Sequence, residues 1–264
     1  LSDRLGYLNV RNTLLALLEL HVVPVVNEND VVAIDELSGE VFGDNDNLSA
    51  MIANLVDADL LVMLTDTQGL YTADPNQDSQ ATLVRRVERI DQNIEALPWA
   101  HTALASRGGM LTKLQAAKLA TASGVTTIIA DGRRNDTLTR ILAGEELGTL
   151  FTPTASKMES RKRWMLSGVS ARGHIVVDTG AADALRRNHG SLLPSGIKEV
   201  QGSFSRGDII LLVSSDGERV ACGITSYGAV DVAVIKGLHS DRILEALGYQ
   251  YGEEVLHRNN MVLL

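Results

Sequence analysis

The feature that most constrains the fold is an alternation of short apolar runs with helical segments in the first part of the chain. Residues 60–64 form a continuous apolar run, as expected for a strand that helices cover on both faces of a sheet, and residues 125–130 predict another buried strand. Between them, residues 110–123 have helical character, and Gly124 follows directly, which is typical of the end of a helix. This alternation predicts an α/β domain with a mostly parallel sheet sandwiched by helices.

Weaker patterns extend this prediction to both sides of the central elements. Apolar positions at helical spacing predict an amphipathic helix over residues 9–20, and residues 135–143 predict a further helix. The β-branched run at 22–26 predicts a strand, which its proline confines to a sheet edge or a strand start. Asp46 stands where it can N-cap a helix that ends about ten residues further on.

The pattern changes near Thr152, which predicts a second domain. Residues 153–173 are largely polar and predict a linker. Beyond them, glycine-punctuated segments predict five short strands, at 174–178, 198–204, 208–214, 219–227 and 255–258. We therefore expect a first domain over residues 1–152, the linker over 153–173, and a small, mainly β domain over 174–264.

Composition excludes several classes of protein. A net charge of −9 argues against a general nucleic-acid binder, which would normally be basic. The longest apolar runs are about five residues, far short of the ~20 that a membrane-spanning helix needs. The single Cys222 rules out an internal disulfide and fits a reducing compartment, so we expect a cytoplasmic protein. The six histidines have no metal-ligand spacing, so no protein metal site is predicted.

Two polar segments at predicted element junctions indicate a site for a small molecule. Asp30 follows the predicted strand at 22–26 and could pair with an ammonium group, whereas Asn45 could donate to a carboxylate. Asp46 could orient a catalytic lysine as well as cap its helix. The alternative for all of these residues is that they only form turns and caps.

Two further segments have the character of a nucleotide site. Thr65 and Asp66 end the apolar run at 60–64 and are expected to contact a ribose or base, or else form an ordinary polar strand end. The glycines at 108 and 109 let backbone N–H groups approach a phosphate, and Lys113 adds a positive charge one turn into the helix. The segment lacks the full P-loop pattern. Its alternative is a plain glycine turn before a helix.

Charge is unevenly placed around these segments. No Lys or Arg lies between Arg11 and Arg85, so the cations that a phosphate needs must come from Lys113, from Arg107, or from sequence outside this chain.

In this order, residues 27–30, 43–50, 65–75 and 108–113 resemble the glutamate 5-kinases of the amino-acid kinase family. The second domain resembles a PUA domain, a small mainly β barrel, through residues 190–197 and 204–208. Within the amino-acid kinases, a PUA domain is typical of the glutamate 5-kinases. The resemblance covers nearly the whole chain.

The resemblance implies MgATP-dependent phosphorylation of the γ-carboxylate of L-glutamate, the first step of proline biosynthesis. It implies ATP and Mg²⁺ as cofactors, feedback inhibition by proline at the glutamate site, and a homo-oligomer. It also implies roles for individual residues: glutamate binding by Asn27, Asp30, Asp44 and Asn45; catalysis by Asp46 and Lys113; and ATP binding by Thr65, Asp66, Arg107, Gly108, Gly109, Met110, Leu111, Thr112 and Lys113.

The sequence departs from the family pattern in two places. The family begins with a lysine strand of the form Lys-Leu-Gly-Thr/Ser and a Gly-Ala-Ile-type loop, and neither is present. Since the chain also begins with Leu1, we expect about a hundred residues, the size of a small domain, to be missing from its front. The family's nucleotide loop usually reads Gly-Thr-Gly-Gly-Met, whereas this chain has Ser106-Arg107-Gly108-Gly109-Met110.

Two alternative functions remain open from the sequence. One is RNA binding through the PUA-like domain, which the charge disfavours because residues 172–264 hold nine basic and eleven acidic residues. The other is a catalytically incompetent fragment with a regulatory or assembly role, which the missing lysine strand favours.

Overall fold

The computed structural model describes residues 4–27, 45–97, 109–188 and 190–264, in two compact units. The N-terminal unit is Leu14–Ser160, and the C-terminal unit comprises the residues up to Thr13 together with Arg161–Leu264. The helices are α1 (Arg4–Glu19), α2 (Asn45–Leu55), α3 (Gln92–Glu95), α4 (Met110–Ala122), α5 (Thr137–Leu142), α6 (Lys157–Gly168), α7 (Thr179–Asn188), α8 (Ala229–Ile235) and α9 (Ile243–Leu247). The strands are β1 (Leu60–Thr65), β2 (Arg86–Val87), β3 (Thr126–Asp131), β4 (Thr149–Phe151), β5 (Val169–Val177), β6 (Ile197–Gly202), β7 (Ile209–Ser214), β8 (Arg219–Ile224) and β9 (Met261–Leu263).

The N-terminal unit contains a four-stranded sheet in the order β1-β3-β4-β2. Strands β1 and β3 are parallel, as are β2 and β4, and only the β3–β4 pair is antiparallel. The prediction of a mostly parallel α/β sheet is therefore confirmed. The register places Thr65, the last residue of β1, opposite Asp131, the last residue of β3, so these two carboxyl ends lie side by side.

Helix α4 packs against this sheet and leads directly into β3. Its end is closed by Gly124 at φ 86°, where an added Cβ would lie 2.4 Å from the backbone nitrogen of Lys157, so glycine is required there. The tight turn sends the chain back along the helix, which puts the first turn of α4 at the carboxyl end of β3. Ligands of α/β sheets bind at such carboxyl ends.

The C-terminal unit is built on a five-stranded sheet in the order β6-β5-β7-β8-β9. All its pairs are antiparallel except β5–β7. Helices α7, α8 and α9 contribute Leu185, Val232 and Ile243 to a core with the inner face of the sheet. The expected mainly β domain is confirmed, with more helix than the sequence indicated.

The first half of α1 belongs to the C-terminal unit and is held there by a buried arginine. Arg11 Nε donates to Asn260 Oδ1 at 2.9 Å, and its Nη2 donates to the backbone oxygen of Asn259 at 2.8 Å. The side-chain nitrogen of Asn260 in turn donates to Asn12 Oδ1 at 3.0 Å. Leu8 lies beside these contacts in a small apolar cluster with Met165 and other residues of this unit.

Two predicted strands are wrong. Residues 22–26 have no regular secondary structure, because no described strand pairs with them, and an extended run forms a ladder only with a partner. Residues 255–258 make a single bridge, Leu192 to Leu256, and then turn into a short 3₁₀ helix. The apolar Val255 and Leu256 serve the core without forming a strand, and the last strand is β9.

Strand β1 is less covered than predicted. Only Met63 of β1 is buried, and Leu64 is 46% exposed. The reason is position: β1 is the edge of the described sheet and has one neighbouring strand instead of two.

The predicted linker at 153–173 contains α6 and the start of β5. The sequence carries a signal for this helix, because Ser156 and Glu159 have the spacing of a capping box. In the structure, Ser156 Oγ accepts from the Glu159 N–H at 3.2 Å, and Glu159 Oε2 accepts from the Ser156 N–H at 3.3 Å. The division into 1–152, 153–173 and 174–264 stays a prediction.

Helices of membrane-spanning length and apolarity are absent from the residues that the structure describes.

Candidate active site at the first turns of two helices

The first turns of α2 and α4 meet at an ion pair between Asp46 and Lys113. Lys113 Nζ lies 2.9 Å from Asp46 Oδ2. Both side chains are largely shielded from solvent, with 9% of the Lys113 side chain and 15% of the Asp46 side chain exposed. These two residues, predicted as the catalytic pair from segments far apart in sequence, are thus brought together.

Thr112 adds a second contact to the same carboxylate. Its hydroxyl lies 2.9 Å from Asp46 Oδ2 and 2.7 Å from the backbone oxygen of Gly109, and it shares its single proton between them. Asp46 is therefore fixed by two side chains of α4. The N-cap prediction for Asp46 is wrong, because α2 already begins at Asn45 and the carboxylate points across to α4.

Small residues allow α2 and α4 to pack closely enough for this contact. Alanines on both helices lie in one core cluster: Ala50, Ala53, Ala116, Ala117 and Ala120. Both helices are long enough to have a significant dipole, with 11 residues in α2 and 13 in α4. The positive dipole ends of both helices lie near Lys113, a setting that favours an anion such as a phosphate.

The carboxyl ends of β1 and β3 form the neighbouring part of the same edge. Thr65 and Asp66 stand there as predicted, with the Thr65 hydroxyl 3.3 Å from Asp66 Oδ1. Because the first turn of α4 lies toward the carboxyl end of β3, the phosphate-type setting and the Thr65–Asp66 pair share one edge of the sheet.

The loop that follows β3 carries charged residues that the sequence reasoning missed. Asp131 Oδ1 accepts from the backbone N–H of Arg133 at 3.0 Å and from its Nε at 3.1 Å. Arg133 is the main cause that holds the pKa of Asp131 below its ordinary value, with Arg134 as a weaker contributor. A signal was present, since Asp131-Gly132-Arg133-Arg134 directly follows an apolar strand run.

The remaining predicted site residues have mixed outcomes. Asn45 is exposed at the start of α2, beside Asp46. Asn27 is exposed in a segment without regular structure and makes no hydrogen bond to the rest of the described chain. Met110 is buried in the core, so only its backbone could reach a nucleotide, while Leu111 is half-buried. Four predicted residues lie outside the described residues: Asp30, Asp44, Arg107 and Gly108.

Comparison with protein families identifies both parts of the chain. A model described as the amino acid kinase family matches residues 2–131, and a model of the PUA domain matches residues 173–247.

Several curated relatives are similar over essentially the whole chain. A protein of Dehalococcoides mccartyi (strain CBDB1) named glutamate 5-kinase is 54% identical over 264 residues, which are 100% of this chain and 71% of that protein. A glutamate 5-kinase of Herpetosiphon aurantiacus is 48% identical over 262 residues, 99% of this chain and 70% of that protein. A glutamate 5-kinase of Paraburkholderia xenovorans is 47% identical over 264 residues, which are 100% of this chain and 70% of that protein.

Proposed function

The chain belongs to the glutamate 5-kinase family, and from this we propose that it transfers the γ-phosphoryl group of ATP to the γ-carboxylate of L-glutamate. The product is L-glutamyl 5-phosphate, with which proline biosynthesis begins. The observation that carries the proposal is the shielded Lys113–Asp46 pair at the first turns of α2 and α4.

The reaction needs positioning and charge neutralisation more than proton transfer. A glutamate side chain has an ordinary pKa of about 4.3, so the attacking carboxylate is ionised at neutral pH without a general base. One carboxylate oxygen bonds to the γ-phosphorus while the bond to the β–γ bridging oxygen breaks, and ADP leaves. Negative charge on the transferring group is offset by preorganised donors.

Lys113 is the cation that we assign to the transferring phosphoryl group. Its ammonium group has three donors, and Asp46 uses one of them at 2.9 Å and thereby fixes the direction of the others. Asp46 acts as a positioning residue in this scheme, with Thr112 holding the same oxygen. The N–H groups at the start of α4 add fixed partial positive charge.

On the nucleotide side, we assign ATP contacts to Thr65, Asp66 and the segment 107–113. On the substrate side, we assign the glutamate ammonium and α-carboxylate to Asp30, Asp44, Asn45 and Asn27. These assignments rest on the family resemblance and on the position of Asn45 beside Asp46.

Whether the protein itself could bind Mg²⁺ can be judged from the acidic side chains in the described part of the chain. No group of three or more His, Cys, Asp or Glu residues that could hold a metal ion occurs there. Mg²⁺ usually binds through one or two carboxylates together with substrate phosphates and water. We therefore propose that Mg²⁺ enters with ATP, held mainly by the phosphates, and supplies charge neutralisation.

Three further properties belong to the same proposal. Proline, which shares the α-carboxylate and amino group of glutamate, would compete for the glutamate site. We also propose a homo-oligomer and a cytoplasmic location, as expected for this family.

The test is an assay of acyl phosphate formation by the protein expressed from its complete reading frame. Trapping the product with hydroxylamine should give a hydroxamate that depends on glutamate, ATP and Mg²⁺ together. The 264-residue chain is assayed in parallel, to learn whether it suffices alone. Turnover of ATP that is equal with and without glutamate would refute the assignment of the substrate.

A further inference from the structure

The loop between β3 and α5 holds two arginines on a single carboxylate at the carboxyl edge of the sheet. Asp131 Oδ1 binds Arg133 through its backbone and its Nε, and Asp131 Oδ2 lies 3.8 Å from Arg134 Nε. Only 11% of the Asp131 side chain is exposed, whereas the arginine side chains are 68% and 52% exposed. The carboxylate is thus a fixed anchor, and the guanidinium groups face outward from it.

This anchor is tied directly to the proposed nucleotide residues. Asp131 pairs in register with Thr65, and the Gly132 N–H donates to the Thr65 backbone oxygen at 2.9 Å. Asp131 is the main cause that raises the pKa of Arg133 above its ordinary value, and Asp66 is a weaker contributor.

The charges of this edge matter for an anionic ligand. Asp66 and Asp131 alone would repel the phosphates of a nucleotide, because like charges at short range disfavour each other. Arg133 and Arg134 balance these two carboxylates, so the four charges sum to zero, and both guanidinium groups are exposed. Planar guanidinium groups match phosphate oxygens in geometry as well as in charge.

A cavity of about 240 Å³ opens beside the same loop. It is lined by Asp131 and Arg134 from the loop, by Gln68 just beyond Asp66, and by Leu83, Leu147 and Glu146. Pockets for drug-sized ligands measure roughly 300–1,000 Å³, so this smaller cavity suits a smaller group such as a heterocyclic base. The side chains of Gln68 and Glu146 make no hydrogen bond to other described residues, which leaves them available to the polar edge of a base.

We propose that the β3–α5 loop forms one wall of the nucleotide site, with the base in this cavity and Arg133 on the phosphates. Asp131 is the positioning residue that holds Arg133. This inference rests on the proposed kinase function and extends it to residues outside the segments that the family resemblance supplied. It also identifies a source of positive charge that the sequence lacks between Arg11 and Arg85.

The first experiment replaces Arg133 in the protein expressed from its complete reading frame. Arg133→Met should raise the KM for ATP about tenfold, as the loss of one charge-assisted hydrogen bond predicts, and should leave the KM for glutamate within about twofold. Arg133→Lys should recover part of the loss. The matched control is Arg140→Met, because Arg140 is also partly exposed and ion-paired, to Glu145, and neither residue lines the cavity. Its loss should change neither the KM for ATP nor the KM for glutamate.

The second experiment separates the base from the phosphates by using inorganic tripolyphosphate as a competitor of ATP. Arg133→Met should weaken the binding of both ATP and tripolyphosphate. Leu147→Trp, which fills the cavity, should weaken the binding of ATP alone. Asp131→Asn should raise the KM for ATP less than Arg133→Met and add little in the double variant, since both act through Arg133. A merely structural role for Asp131 would instead disturb the KM values for ATP and glutamate alike.

The inference would be overturned if the wild-type protein is active and Arg133→Met changes neither the KM for ATP nor the inhibition by tripolyphosphate. The proposed function would still stand after that result. Equal weakening of both ligands by Leu147→Trp would overturn the placement of the base. A wild-type protein that neither binds nor turns over ATP would refute the proposed function, and this inference with it.

Discussion

Lys113 Nζ and Asp46 Oδ2 are 2.9 Å apart although 67 positions separate the residues in the sequence. Burying such a pair costs desolvation free energy that its attraction often fails to offset, so a shielded ion pair is weak as a stabilising device. Its place at two converging helix starts is better explained by a requirement for a fixed positive charge. The predictions that follow begin with this pair.

Replacement of Lys113 by methionine should lower kcat at least about 100-fold, as expected when one donor to the transition state is lost. The KM values for ATP and glutamate should change much less, because the charge is needed mainly while the phosphoryl group moves. Steady-state kinetics of the protein from its complete reading frame measures this. Lys118→Met is the control, since Lys118 lies on the same helix in an exposed pair with Glu95. A kcat of Lys113→Met equal to that of the control would contradict the catalytic assignment.

The same pair should show strong coupling in stability. Lys113→Met and Asp46→Asn should each lower the free energy of unfolding by about 3 kcal/mol, because each leaves a shielded polar or charged partner behind. The double variant should lose at least about 1 kcal/mol less than the sum of the two, as residues in direct contact do. Urea unfolding of wild type, the two single variants and the double variant measures these free energies in a double-mutant cycle. Strict additivity would mean that the two side chains do not interact in solution.

The sequence was sufficient for the elements that local pattern specifies. A continuous apolar run predicted β1, the segment 125–130 that follows the helix predicted β3, and helical spacing with a terminal glycine predicted α4 to within a residue or two. These features depend on neighbours a few residues apart, so they can be read along the chain. The prediction of a strand at 22–26 was wrong because a strand also needs a pairing partner, which no local pattern supplies.

The site was predictable in its residue types but not in its contacts. Lys113 and Asp46 were selected from a glycine turn and an acidic loop, yet the direction of the Asp46 side chain depends on how α2 packs on α4. The helix-cap rule favoured the wrong role for it, since tertiary contact overrides the local preference. Arg133 was missed because its position depends on the register between β1 and β3.

Acid should weaken the anchor at Asp131. The pKa of Asp131 is held below its ordinary value of 3.8, chiefly by Arg133, so its contribution to stability is present above that value. It is lost as the pH falls through the lower pKa of the folded state. The melting temperature of wild type should therefore exceed that of Asp131→Asn at pH 7, and the gap should shrink as the pH falls below 3.8. A gap that stays constant from pH 7 to strong acid would contradict the Arg133 interaction.

Cys222 should be unreactive in the folded protein. It is the only cysteine, it is fully buried in β8, and burial raises the pKa of its thiol. Since the thiolate is the reactive form, a disulfide reagent such as DTNB should label the native protein very slowly at pH 8. Labelling should become complete in denaturant, along the same transition that circular dichroism reports. Rapid stoichiometric labelling without denaturant would show that β8 is open to solvent.

Arg11 should be essential to the stability of the C-terminal unit. It is 3% exposed, and it bonds Asn260 Oδ1 and the Asn259 backbone oxygen. Arg11→Met should lower the free energy of unfolding of this unit by about 2–3 kcal/mol, because buried acceptors lose a charged donor. Arg11→Lys should recover little of this stability, since one ammonium group cannot reproduce the two guanidinium contacts.

The rate of Cys222 labelling in mild urea measures the effect within the same unit, with Lys236→Met, an exposed change, as the control. If Arg11→Met labels no faster than that control, the contact with Asn260 does not hold α1 in place.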